Sequence, residues 1–173
     1  MTAREPDTGR VHVVIDTPAG SHNKYKYDLQ RRIFRVSRTL PDGLVFPHDF
    51  GWIPQTRAAD GDPLDILVLS AAPTFPGCLV TARLLGVLHA YQLEGKQRVR
   101  NDRLIGVAET PVNVSELKGL RSLEPLQLRS IERFFESYNE LMGRKFRVTG
   151  RGNQRAAEAQ LEQAMTAFAE MPR

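Results

Sequence analysis

The chain has a single cysteine, Cys78, so it cannot close an internal disulfide, and no CxxC pair is present to build a zinc ribbon. The role expected of Cys78 is that of a small buried hydrophobe. No apolar run approaches the roughly 20 residues that a membrane helix needs. Met1 to Arg10 is polar and contains Pro6 and Gly9, unlike a signal or transit peptide, so a cytoplasmic protein with no membrane partner is expected. His12, His22, His48 and His89 lack HxxxH or HExxH spacing, which argues against zinc ligation. Ser21, Ser37 and Ser70 lie outside any nucleophile-elbow context, leaving nucleophilic acyl chemistry without support. Charge of one sign is also scarce, since 24 Lys and Arg face 20 Asp and Glu for a net charge of +4. That mild excess suits a phosphate-bearing ligand, and because the basic residues are scattered no nucleic-acid partner is expected.

What remains is an ordinary globular composition of 173 residues, 41% hydrophobic and 25% charged, of a size for one domain over 1–173 with 1–10 as a flexible N-terminus. Short strands are predicted at Val11 to Asp16, Lys24 to Asp28, Ile33 to Ser37, Ile66 to Leu69, Leu79 to Gly86, Arg103 to Val107 and Phe146 to Val148. Turn residues such as Pro41-Asp42-Gly43 and Pro76-Gly77 bound them. Ile131, Phe134, Phe135, Tyr138, Leu141 and Met142 share one helical face between Pro125 and Gly143. A second helix is predicted from about Arg155 to Met171, with Pro172 just beyond. Strands first and helices late, without regular alternation, point to a mainly β, α+β chain in which a small antiparallel barrel carries two helices from its C-terminal half.

The most chemically loaded segment is Asp60-Gly61-Asp62-Pro63-Leu64-Asp65, which runs directly into the apolar strand Ile66-Leu67-Val68-Leu69. Three carboxylates at the mouth of a buried strand repel unless cations neutralise them, and dense hard oxygen donors suit Mg²⁺. Taken alone, the tetrapeptide Asp60-Gly61-Asp62-Pro63 reads in preference as a solvated acidic turn. An EF-hand loop beginning at Asp60 fails at Leu64, Asp65 and Ala71. Upstream, Lys24 and Lys26 project from one face of their strand, and Val45 to Pro54 combines aromatics, Pro and Gly in a rigid turn.

In order along the chain, VVIDTPAGSHNKYKYD, Arg38, VFPHDFGWIP, DGDPLDILVL, PTFPGCLVTARLLGVL, NDRLIGVA and RFFESYNELMGRKFRVTG resemble the soluble, single-domain family I inorganic pyrophosphatases from about Val11 to Phe168. The resemblance implies an OB-like barrel and Mg²⁺-dependent hydrolysis of inorganic pyrophosphate to two phosphates. It implies several Mg²⁺ per site, with Mn²⁺ as an alternative ion, and a homo-oligomer, hexameric as in bacteria or dimeric as in eukaryotes. It casts Asp60 and Asp65 as metal ligands and Asp62 as the base that deprotonates the attacking water. Lys24, Arg38 and Tyr138 match phosphate-binding positions, Arg103 stands where lysine is usual, and Asp16 stands where a longer Glu is usual.

The chain also departs from the pattern. Lys26 replaces a carboxylate, Phe46 and Phe50 replace tyrosines, and Asn139 replaces a lysine beside Tyr138. The loop Glu94 to Arg103 is longer than usual and aligns Asn101 with a metal-binding aspartate. Adjacent strand residues face opposite ways, so one of Asn101 and Asp102 turns to the metal. Asp102 is the expected ligand, the loop absorbing the shift, and Glu94 is a further candidate carboxylate. Two alternatives stay open: a related phosphohydrolase acting on another phosphoanhydride, and a catalytically weakened phosphate-binding homologue. The three retained turn aspartates argue against the second.

Overall fold

A computed structural model describes residues 1–109 and 116–171, except the side chain of Glu94. Its elements are β1 (Val11–Thr17), β2 (Asn23–Asp28), β3 (Ile33–Thr39), β4 (Asp49–Trp52), β5 (Asp65–Leu69), β6 (Leu79–Glu94), β7 (Gln97–Arg100), β8 (Arg103–Ala108), α1 (Pro125–Leu141), β9 (Phe146–Asn153) and α2 (Gln154–Ala169). Strands run in the order β1-β4-β5-β8-β6, and pairing of β1 with β6 closes them into a ring. All these neighbours are antiparallel except β5 and β8, which run side by side with Ile66 opposite Leu104. The expected mainly β barrel with two helices is therefore what forms. The long β6 carries β7 and β9 on its second half, and β2 and β3 form a separate two-stranded hairpin.

The run Ile66-Leu67-Val68-Leu69 is apolar at every position because both faces of β5 are covered. Ile66, Val68 and Leu104 face a core with Val13, Ile15 and Leu161 of α2. Leu67, Leu69, Ile105 and Val107 face the other core, where α1 contributes Ile131, Phe134, Phe135 and Tyr138. Each of these buried aliphatic or phenyl side chains contributes about 1.5–3 kcal/mol. α1 opens with Pro125 in its first turn and ends before Gly143, whose φ of 72° is left-handed. α2 is capped by Asn153, whose side chain accepts a 3.0 Å hydrogen bond from the Ala156 amide. Gly51 permits β4 to cross β1 closely, since a Cβ there would lie 2.1 Å from the Val14 carbonyl oxygen.

Several elements differ from expectation. The rigid aromatic turn contains β4, and the long loop before Arg103 is a β6–β7 hairpin turning at Gly95. The N-terminus, expected to be flexible, is docked instead: Ala3 is buried, Arg4 bridges to Val11, and Arg4 Nη2 lies 2.6 Å from Glu158 and 2.7 Å from Glu162 on α2. Cys78 is half-buried at the edge of the second core. Pro172, the expected helix stop, and the Glu94 carboxylate lie outside the described residues.

Candidate active site

The acidic turn is shaped by Gly61, whose φ of 87° only glycine adopts freely. It leaves Asp62 exposed at the tip and Asp60 and Asp65 half-buried on either side. Asp60 Oδ1 accepts a 3.2 Å hydrogen bond from the Asp62 amide. Burial nevertheless pushes the Asp60 carboxyl above its ordinary value, with the like charges of Asp65 and Asp62 adding to the rise and Arg103 opposing it. Asp16, buried at the end of β1, is pushed up to about 6, chiefly by burial and in part by Asp65, against the pull of Lys24 and Lys26. The Asp65 carboxylate thus sits close enough to contribute to the rise of both Asp60 and Asp16.

Cations approach from two directions. Lys24 and Arg38 are directly opposite across the β2–β3 hairpin, and Lys24 Nζ lies 4.8 Å from the centre of the Phe50 ring. Lys26, one step further along β2, lies 3.6 Å from Asp62, both side chains remaining largely in solvent. From β8, Arg103 Nη1 lies 2.8 Å from Asp65 Oδ2. Phe50 links the two groups, its ring also lying 5.9 Å from the Arg103 guanidinium carbon. A cavity of about 250 Å³ opens beside the turn, its walls including Asp60, Asp65, Asn101, Asp102, Arg103 and, from α2, Gln160.

Tyr138 belongs to the aromatic cluster behind this rim, stacked on Phe134 at 5.9 Å and packed against Phe46 at 5.8 Å. Phe46 and Phe50 are themselves fully buried among these rings. Asn139 is buried too, its amide donating a 2.7 Å hydrogen bond to the Phe135 carbonyl rather than reaching the rim.

Asp102, the expected ligand, lines the same cavity, but its carboxylate oxygens are engaged by other partners. Its buried carboxylate accepts from the Ala90 amide at 2.9 Å, lies 3.0 Å from His89 Nδ1 and is held by Arg100 at 2.6 Å. Burial alone would raise its pKa, but these hydrogen bonds outweigh it and hold the carboxyl below its ordinary value. Asn101 instead shares Arg103 with Asp65, its Oδ1 accepting from Nη1 and its Nδ2 donating to Gln92 at 2.7 Å. The stretch Glu94 to Arg103 forms the turn and second strand of the β6–β7 hairpin, after which Asn101, not Asp102, meets the Arg103 guanidinium through its side chain.

The oxygens of Asp60, Asp62 and Asp65, mutually repelling and only partly neutralised, fit a hard divalent cation. Among the described residues no three acidic, thiol or imidazole groups are already gathered at ligand spacing. A larger hollow of about 470 Å³ between α1 and β9 is also lined by charged side chains, Arg129, Glu132, Arg133, Glu136 and Arg151, but it lies away from the acidic turn and its Arg151 is already paired with Glu132 at 2.6 Å.

Carboxylates fit for a divalent cation, gathered with fixed cations at one rim of the barrel, are the chemistry of a metal-assisted phosphate-handling hydrolase. The family model described as inorganic pyrophosphatase matches residues 13–169. The inorganic pyrophosphatase of Geobacillus stearothermophilus is 37% identical over 86% of this chain and 88% of its own, and that of Methanosarcina acetivorans 35% identical over 98% and 96%. The crystal structure of the Thermus thermophilus inorganic pyrophosphatase superposes with a TM-score of 0.89 at 32% identity, covering 98% of this chain and 97% of that one. The chain belongs to the inorganic pyrophosphatase family. Its reaction is accordingly the hydrolysis of inorganic pyrophosphate to two phosphates, with the divalent-metal requirement general to that family.

Proposed function

We propose that Mg²⁺ is the working ion, that Asp60 and Asp65 hold it, and that Asp62 is the general base. The observation that carries this reading is the exposed Asp62 carboxylate, set between two half-buried aspartates and facing the Lys26 ammonium at 3.6 Å. When bound, the ion screens the phosphate charge and acidifies water. The neighbouring Asn101 amide oxygen, rather than Asp102, is the candidate to complete the donor set.

Lys24 and Arg38, paired across the hairpin, grip the oxygens of one phosphoryl group, and the bidentate reach of a guanidinium suits Arg38 to this task. Arg103 and Tyr138 bind at the opposite, β8 and α1 side. Asp62 accepts the proton as the water oxygen bonds to phosphorus. The bridging P–O bond breaks, and its electron pair leaves with the second phosphate. The chain works as a homo-oligomer in the cytoplasm; no helix among the described residues is long and apolar enough to cross a membrane.

The test is phosphate release from pyrophosphate with Mg²⁺, run with Asp62→Asn and with a panel of nucleotides and short polyphosphates. Activity on pyrophosphate that falls by about 10²-fold or more in the variant supports the reading. Turnover confined to another phosphoanhydride would assign the altered pocket of Lys26, Phe46 and Phe50 to a different substrate. Absence of metal-dependent turnover on the whole panel would leave a phosphate-binding role.

A further inference from the structure

We propose that Arg103 is a resident cation of the metal-binding rim, whose guanidinium holds Asp65 and Asn101 in the metal-free protein and is released toward phosphate when a divalent ion takes Asp65. This rests on the reading that Asp60 and Asp65 hold the ion. A single nitrogen, Nη1, gathers four oxygens: Asp65 Oδ2 at 2.8 Å, Asn101 Oδ1, the Asp102 carbonyl at 3.0 Å and the Asn101 carbonyl at 3.4 Å. An all-oxygen cage around one positive centre is the environment a hard metal ion itself demands.

The rest of the side chain is built to be held there and yet is not satisfied. Arg103 is only 8% exposed, and the rings of Phe50, Phe135 and Phe146 surround its guanidinium carbon at 5.9, 5.7 and 5.4 Å. Its Nε finds no hydrogen-bond partner among the described residues. A buried donor left unpaired is costly, and a phosphate oxygen is the acceptor that would pair it.

A divalent ion on Asp65 would sit against this guanidinium, and two cations sharing one carboxylate repel. The ion must therefore compete with Arg103 for Asp65. Once displaced, the guanidinium becomes available to pyrophosphate, so ion and substrate favour each other through one side chain, and the coupling is reciprocal. Without an ion, Arg103 remains neutralised and substrate meets a weaker anion site.

The experiment is calorimetric titration of Mn²⁺ into the metal-free wild type, Arg103→Met, Lys24→Met and Asp60→Asn. Alongside it, ¹⁵N NMR follows the Arg103 guanidinium of the wild type during Mg²⁺ addition, its signals assigned by their loss in Arg103→Lys. Arg103→Met should bind Mn²⁺ at least tenfold more tightly than wild type. Lys24→Met, which removes an equal charge that does not touch Asp65, should shift affinity by less than threefold. The Arg103 guanidinium signals, restrained in rotation without metal, should lose that restraint as Mg²⁺ saturates. Equal or weaker Mn²⁺ binding by Arg103→Met, or guanidinium signals indifferent to Mg²⁺, overturns the proposal, and the wild-type spectrum decides it even where the methionine variant does not fold. An Asp60→Asn variant that titrates like wild type would instead defeat the metal-site reading, whereas lost binding there with unchanged Arg103→Met affinity defeats the role of Arg103 alone.

Discussion

Substituting Asp16 by Asn should stabilise the metal-free protein near neutral pH and do progressively less as the solution is acidified. In the fold the Asp16 carboxyl retains its proton to about 6, burial being the main cause, whereas an unperturbed aspartate releases it near 3.8. Because the folded value is the higher one, the proton's contribution to stability is fully present below 3.8 and is lost as pH rises through about 6. Above that the native state carries a buried carboxylate that the unfolded chain would hold in water. The separation of the two values corresponds to about 3 kcal/mol. Asparagine retains an oxygen to accept the 2.6 Å hydrogen bond from the Thr17 hydroxyl, so the change chiefly removes the charge. Urea unfolding in EDTA at about pH 4 and about pH 7.5 should therefore show the variant gaining about 2.4 kcal/mol on wild type between the two conditions, because at pH 4 the unfolded aspartate is already partly ionised. A difference that is the same at both pH values would refute the argument that burial governs this carboxyl.

Gly51→Ala should cost about 1–3 kcal/mol or more, because its methyl group meets the Val14 carbonyl oxygen at 2.1 Å and must force β4 from β1; thermal unfolding would read the loss. Arg4→Ala should lower global stability by no more than about 1 kcal/mol, since its two ion pairs are partly solvated, but limited proteolysis should show faster cleavage within the first ten residues as the segment lifts from α2.

The sequence made the acidic turn readable because its chemistry is local: Gly61 and Pro63 fix the bend, and the apolar run after Asp65 marks the strand it feeds. Lys24 and Arg38 were readable as cations, but their direct pairing depends on the hairpin register, including the irregularity between Lys24 and Tyr25. β4 was hidden in VFPHDFGWIP because proline and glycine mask a strand whose order comes from its neighbours β1 and β5. β7, Gln97-Arg98-Val99-Arg100, is a charged, exposed edge strand and looks like loop until β6 pairs with it. That the Asn101 side chain meets Arg103 while the Asp102 carboxylate meets Arg100 and His89 depends on how the chain leaves the β6–β7 hairpin, which composition does not encode. Docking of the N-terminus was equally invisible, since Arg4 finds Glu158 and Glu162 only after α2 is in place.

The parallel pairing of β5 with β8 has a consequence for how the rim tolerates change. β5 and β8 begin at the same end, so Ile66 stands opposite Leu104, and the residues just ahead of them, Asp65 and Arg103, meet at the rim. An antiparallel pair would have set the start of one strand beside the finish of the other. The chain between these two beginnings passes through β6 and the hairpin at Gly95, where length can be added or removed without altering how the beginnings align. A change of length in this connection would therefore alter the pocket wall while leaving position 103 beside Asp65.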